Sequence, residues 1–502
     1  MVSKRKIAKN TIIQYIRLII SVLVGLYSVR LILNALGVND YGIYDVVSGI
    51  IVLFGFIQAS VGQTSIRYIS VSLGERNGIG TKETFRRCFW MHVIISVILV
   101  IILEVVGLYL IDHFLTIPSD RLNAARIVFQ CMILSLFLNI ISTPFQALII
   151  AHEEFFVTAL ISILDSFLKL SIAYYITVAA GDKLIIYASL MAIVTIVNFL
   201  LYYLYNLTRH RLEFACFPFS FKGLKQVSQF AGWTLLDVFG TVATRQGYSI
   251  ILNKFIGPSA NAVFAIARHI EGQLYNVSGS VIDSMKPQIM ISHGNNDEKL
   301  MFKLSFMAGK LGYSMMALIA IPIIVLMPDV LSLWLKNVPE GAVDFSRLLI
   351  VACMMEQLTR GLVYANQAQG NIKWFCIIVS AIRFSALPIS CVLLYMGFSG
   401  ITAIIVFVIC ETLGSLSRLL VMKNLSDIDV KAFFTSVVAG VFPPTIISIV
   451  ICIIAYRNEG SVINMVSSTA ASILVYIISF YYFGLSIEER RKISSRIKKS
   501  KN

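Results

Sequence analysis

Charge is scarce in this chain of 502 residues: Asp, Glu, Lys and Arg make up 14% of it, against 57% hydrophobic residues. That balance lies outside the range of soluble globular and disordered chains and points to an integral membrane protein. Catalytic signatures are missing too. There is no G-x-x-x-x-G-K-[ST] loop to cradle nucleotide phosphates, so ATP-driven pumping by this chain is not expected. "AHEEF" at 151–155 fails the H-E-x-x-H spacing, and the six histidines do not cluster as zinc ligands. The eight cysteines are scattered, mostly inside apolar runs and without a C-x-x-C pair, which suggests neither disulfides nor a zinc site. The longest expected outer loop, about 329 to 343, is too short for a catalytic domain and argues against a membrane glycan polymerase. The expectation is no enzyme, no catalytic residue, no metal and no cofactor, with coupling to H⁺ or Na⁺ left open.

What the chain does have is apolar runs of about 20 residues, enough to cross about 30 Å of hydrocarbon as helix. About fourteen such helices are expected, the second over 43–66 and the eighth over 259–288, giving an all-α integral membrane fold. The basic start "MVSKRKIAKN" precedes a run too long for a signal-peptide core, so it should stay as the first helix. With the N-terminus inside, about 27 Lys and Arg fall in inner segments, Arg67, Lys286 and Arg418 among them, and about 5 in outer ones. This positive-inside bias places both termini in the cytoplasm and explains most of the formal charge of +15. The basic tail then meets anionic membrane lipids, and no nucleic acid is implied.

Internal repetition divides the chain. "LILNALGVNDYGIY" at 31–44 has a counterpart in "IILNKFIGPSANAVF" at 250–264, and "SLGERN" at 72–77 has one in "SHGNND" at 292–297. An offset of about 219 to 220 residues holds six helices, so the halves form a parallel repeat. The expected organisation is an N-terminal six-helix lobe (1–210), a second lobe repeating it (211–425), helices 13 and 14 (426–485) and a basic tail (486–502).

Polar groups at membrane depth are tolerated chiefly where they meet protein or a water-filled cavity. Helices 1, 2, 7 and 8 carry most of them, which points to a central cavity. Arg17 and Arg30 on helix 1 are thirteen residues apart, about 20 Å in depth and about 140° around the axis, so they cannot share one tight site. Arg245 on helix 7 maps four residues from Arg30 across the repeat and is its expected companion. Local neutralisation is expected for Asp165 with Lys169, Glu356 with Arg360 and Arg268 with Glu271. The candidate substrate-binding set is Arg17, Arg30, Arg245, Arg268, Gln58, Gln63, Gln273 and Asn276, with Arg383 weaker. Asp237, Glu104 and Glu411 are candidates for coupling to a cation.

"LGVNDYGIYDVVSGI", "RYISVSLGERN" and "TPFQALIIAHEEF" resemble the bacterial polysaccharide export proteins. These are O-antigen and capsule repeat-unit flippases of the Wzx type, within the multidrug/oligosaccharidyl-lipid/polysaccharide (MOP) exporter superfamily. The resemblance implies a MATE-like architecture of two six-helix lobes plus two helices in a bacterial cytoplasmic (inner) membrane. It implies movement of an undecaprenyl-pyrophosphate-linked oligosaccharide to the periplasmic leaflet by alternating access, beside a polysaccharide polymerase and glycosyltransferases. Helices 13 and 14 would help make a groove for the lipid tail. Arginine suits a pyrophosphate because its planar fork gives directional, charge-assisted donors and stays ionised. A cation-coupled multidrug exporter is the competing reading. A lipid II flippase is disfavoured by the arginine spacing in helix 1.

Overall fold

The structure, a computed structural model, describes residues 4–52, 54–75, 80–114, 117–211, 223–335, 337–426, 428–456, 462–485 and 490. Among these it is helical and holds no strand. Lipid imposes this, because each backbone N–H and C=O must be satisfied within its own segment. The order is α1 (Lys4–Val52), α2 (Gly55–Gly74), α3 (Thr81–Ile102), α4 (Leu122–Ala151), α5 (Phe155–Val178), α6 (Lys183–Arg209), α7 (Leu224–Phe255) and α8 (Pro258–Gly294). It continues with α9 (Glu298–Val325), α10 (Met327–Trp334), α11 (Ala342–Gln369), α12 (Lys373–Tyr395), α13 (Gly400–Leu425), α14 (Val430–Phe433), α15 (Ala439–Ala455) and α16 (Val462–Ser479). Wider π-helical turns lengthen α3, join α14 to α15 and end α16.

α1 is two rods, broken at Gly37, whose φ of +76° suits a residue without a side chain. The second rod runs on through Phe54 into α2. Counted so, and with short α10 set aside, the described residues form fourteen long segments, the expected number. Ten are long and apolar enough to cross a membrane. The remaining four are the first, second, seventh and eighth, the helices whose polar residues singled them out in the sequence. Helix ends overrun the expectation: the second rod reaches Gly74 and α8 reaches Gly294. Arg67, counted above among the inner cations, therefore lies inside α2, while Lys286 and Arg418 of the same tally lie inside α8 and α13. Lys286 and Arg418 are only 3% exposed.

Internal packing divides the chain into two compact units, Met1–Val238 with Met290–Asn296, and Phe239–Ile289 with Asp297–Asn502. In the first, α1 lies along α5 and α4 along α6. Lipid is as apolar as leucine, so close interdigitation and buried hydrogen bonds hold the helices together. Phe85 and Phe145 meet at 5.5 Å between centroids, and Ser60 Oγ on α2 donates to the Ala231 carbonyl of α7 at 2.9 Å. Two of the sequence motifs are clasps. Arg121, ahead of α4, pairs with Asp40 of "NDYG" and with Asp182 at 2.7 Å. The hydrogen bond to Asp40 leads in raising the Arg121 pKa above its ordinary value. Glu154 of "AHEEF" accepts from Tyr205 Oη and meets His210 Nε2, both at 3.0 Å.

A reciprocal contact in this unit follows the 220-residue offset. A Cβ added at Gly74 would overlap the Ile291 carbonyl and lie 3.0 Å from the Gly294 Cα; one added at Gly294 would overlap the Val71 carbonyl and lie 3.0 Å from the Gly74 Cα. Gly37 has a positional counterpart too, in Gly257 at φ +117°.

In the second unit α11 packs between α9 and α13, and α15 and α16 lie against each other and α9. Lys310 Nζ on α9 donates to the Gly484 carbonyl at 2.8 Å, satisfying an acceptor at the end of the last helix. Past the end of α15, Tyr456 Oη donates to Asp329 Oδ2 at 2.7 Å, and burial together with that bond pushes the phenol up to about 12.

The glycine contact is testable. Gly74→Val and Gly294→Val should each lower the thermal unfolding midpoint in detergent, by about 1 to 3 kcal/mol of overpacking. Gly25→Val, where an added Cβ meets nothing within 4 Å, should leave it unchanged.

Candidate functional site

The second unit assembles a buried ionic network from five helices. α7 is fixed by Tyr248, whose fully buried hydroxyl bonds Ser390 Oγ at 2.6 Å and the Ala386 and Ala403 carbonyls at 3.2 Å. One turn before it is Arg245, whose Nη2 donates to Glu271 Oε1 on α8 at 2.9 Å. Glu356 on α11 is shared: Arg383 of α12 reaches its Oε1 at 3.2 Å and Arg418 of α13 at 3.4 Å. Arg383 also donates through Nε to Glu411 Oε2 at 3.0 Å and through Nη1 to Thr241 at 3.3 Å. Arg360 and Tyr364 of α11 turn to Asp283 of α8: the phenol donates to Asp283 Oδ1, and the guanidinium stands 3.7 Å from that oxygen.

The pairing differs from the local scheme read in the sequence. Glu356 does not neutralise Arg360, and Arg268 does not pair with Glu271. Tertiary partners on adjacent helices win, because an arginine arriving across an interface presents its fork end-on to the carboxylate, whereas a neighbour on the same helix must fold back along the surface. Asp165 and Lys169 in the first unit do pair, at 2.8 Å. Arg268 has no carboxylate within ion-pairing distance among the described residues. Its guanidinium lies 5.9 Å from the Phe264 ring centre, within electrostatic reach of Arg245 and Glu271.

Among the described residues, six cations (Arg245, Arg268, Lys286, Arg360, Arg383, Arg418) thus face four carboxylates (Glu271, Asp283, Glu356, Glu411), an excess of two positive charges. The network has a sealed part and an open part. Arg383 and Arg418 have side chains 4% exposed, whereas Arg245 is 25% exposed and Asp283 52%. α8 presents the open part: His269, Gln273, Asn276 and Asp283, spaced by four, three and seven residues, are exposed on one face. Of the sequence candidates, Arg245, Arg268, Gln273, Asn276, Glu411 and the weaker Arg383 come together here, with Glu411 bound to Arg383.

The others lie in the first unit. Arg17 is half-buried within electrostatic reach of Tyr202 on α6. Ser21, one turn on, accepts from Ser166 of α5 at 3.1 Å, so that face of α1 is turned towards α5 and α6. Gln58 and Gln63 are half-buried on α2, and the amide oxygen of Gln63 has no hydrogen-bond partner. Asp237 is half-buried on α7. Glu104, at a π-helical turn, accepts from Gln130 Nε2 at 3.0 Å. The Arg30 side chain and the tail from 486 on, Arg490 excepted, lie outside the described residues.

The candidate set read from the sequence left out Arg360, Lys286, Arg418 and Tyr364. Asp283 on the same helix was the one signal that could have drawn attention to Lys286.

Comparison with known proteins gives the architecture. Residues 15–175 match the family model MatE. An outward-facing multidrug resistance MATE family transporter of the MOP superfamily superposes with a TM-score of 0.72 at 15% identity, over 84% of this chain and 95% of the other. The chain has the MATE fold. A MATE protein in a bent conformation gives 0.74 at 14% identity, over 84% of this chain and 95% of the other. A MOP superfamily transporter from Pyrococcus furiosus, described as having a binding pocket of reversed polarity, gives 0.69 at 15%, over 86% and 96%. No curated protein matches the chain. This MATE fold holds a surplus of buried arginine and lysine in its second unit.

The shared carboxylate is the point of greatest leverage. Glu356→Ala removes the carboxylate that Arg383 and Arg418 share. The folded protein should lose about 3 to 5 kcal/mol, read as a fall in the detergent unfolding midpoint. Asn276→Ala, on the exposed face of α8, should shift it little.

Proposed function

We propose that the protein is a flippase that moves a polyprenyl-diphosphate-linked oligosaccharide, with undecaprenyl pyrophosphate as carrier, from the cytoplasmic to the periplasmic leaflet by alternating access. The observation that carries this reading is the excess of two positive charges in the second unit. A diphosphate is a compact anion that needs several charge-assisted donors at once, and arginine supplies them without titrating. Arg268, with no carboxylate at pairing distance, and Arg245, partly exposed and held by a single one, are the donors available to it. Gln273 and Asn276 on the same face of α8 offer amide groups of the kind that bind sugar hydroxyls. With both termini in the cytoplasm, α8 would descend from the outer to the inner surface and carry this face along the route.

A cationic drug would meet net repulsion there, which favours this reading over a cation-coupled multidrug exporter. The Pyrococcus furiosus relative described with reversed pocket polarity supports the idea that this fold accepts pockets of either sign.

Arg245→Ala and Arg268→Ala should each reduce surface polysaccharide to below about a tenth of the wild-type level, about 1.4 kcal/mol or more of lost binding. The amount of protein in the membrane should stay the same. Arg268→Lys should restore export in part, because a point charge replaces a fork. Normal export by both alanine variants would overturn the assignment.

A further inference from the structure

The end of the network nearest Gly294 is underpaired. Lys286 is 3% exposed, and its ammonium lies 5.0 Å from the Tyr364 ring centre with no hydrogen-bond partner for Nζ among the described residues. Arg360 stacks its guanidinium 4.2 Å over the Tyr275 ring, and its Nη1 is likewise buried without an acceptor. A buried cation with unused donors is costly unless a carboxylate or another anion completes its shell. One carboxylate serves both, that of Asp283. Tyr364 holds it by a hydrogen bond, Arg360 stands 3.7 Å away, and half of its side chain is exposed. Glu356, also within reach of Arg360, is already shared by Arg383 and Arg418. Two positive charges and several free N–H donors therefore close around a single negative group able to swing out.

We infer that Lys286, Arg360 and Tyr364 form a phosphoryl-binding subsite in which Asp283 is a resident anion, displaced when a phosphoryl dianion enters. The chemistry of the donors fits this ligand class. An ammonium, a guanidinium edge and a phenol give donors only, and a dianion neutralises both cations where Asp283 neutralises one. The backbone permits the exchange. Pro287 has no N–H to give to the Asp283 carbonyl, so α8 lacks one rung of its ladder at the residue that must move. Gly279 leaves room beside the pair: a Cβ there would stand 3.7 Å from Arg360 Nη1 and 3.8 Å from Asp283 Oδ2. This inference rests on the proposed diphosphate-linked substrate and places a second station for it about 25 Å along α8 from Arg268, at about 1.5 Å per residue.

The test is a binding titration of the full-length protein in nanodiscs with two probes, inorganic pyrophosphate and a short-chain polyprenyl diphosphate. Asp283→Asn removes the competing charge and keeps the shape; it should tighten binding about tenfold, or about 1.4 kcal/mol. Lys286→Gln added to it should abolish the gain. Should that double variant not fold, Asp283→Asn with Tyr364→Phe takes its place and should lose part of the gain. Tightening for both probes identifies the bare diphosphate as the recognised group, and tightening for the polyprenyl probe alone identifies the lipid-borne headgroup. Unchanged or weaker binding of both probes by Asp283→Asn, while Arg268→Ala still weakens binding, overturns the subsite and leaves the substrate reading standing. If Arg268→Ala also has no effect, the substrate reading fails with it.

Discussion

The second unit depends on one buried carboxylate. Glu356 lies between two guanidiniums from different helices, and a carboxylate shared this way is worth keeping only because removing it would strand the cations that bring α12 and α13 to α11. Geometry follows from that sharing. With Glu356 engaged by Arg383 and Arg418, Arg360 turns to Asp283, and with Glu271 engaged by Arg245, Arg268 is left with no carboxylate at pairing distance among the described residues. The surplus charge thus collects at the exposed face of α8 and towards its C-terminal end, where a ligand can use it, while the sealed core is close to balanced.

Membrane solvation gives this arrangement its meaning. A guanidinium left without a counter-ion in a hydrocarbon setting is expensive, and sequences keep one where it serves a route or a ligand. The four segments that do not count as simple spans by length and apolar character together are the two rods around Gly37, α7 and α8. Among them α8 combines a buried face that binds the rest of the second unit with an exposed face that is polar from His269 to Asp283.

Much of the architecture was legible in the sequence. Apolar run length gave fourteen helices, and polarity gave helices 1, 2, 7 and 8, because both are set by transfer from water to lipid. The 220-residue offset reappears in the backbone at Gly37 and Gly257 and in the mutual approach of Gly74 and Gly294. The ion pairs were not legible. Same-helix spacing favoured Glu356 with Arg360 and Arg268 with Glu271, yet Arg383, Arg418 and Arg245 took those carboxylates, since a helix sequence says nothing about which fork arrives across an interface. Lys286 was misplaced for a different reason: α8 runs six residues beyond its expected end at 288, so a residue near the expected boundary with water became an interior one.

The central claim is that the surplus positive charge selects a lipid-linked diphosphate. Reconstitution into liposomes loaded on one leaflet with a fluorescent polyprenyl-diphosphate oligosaccharide, with a cationic dye run in parallel, measures it directly. The account predicts that the wild-type protein flips the anionic lipid, that Arg268→Ala does not, and that neither moves the dye. Transport of the dye with no movement of the oligosaccharide lipid would contradict it.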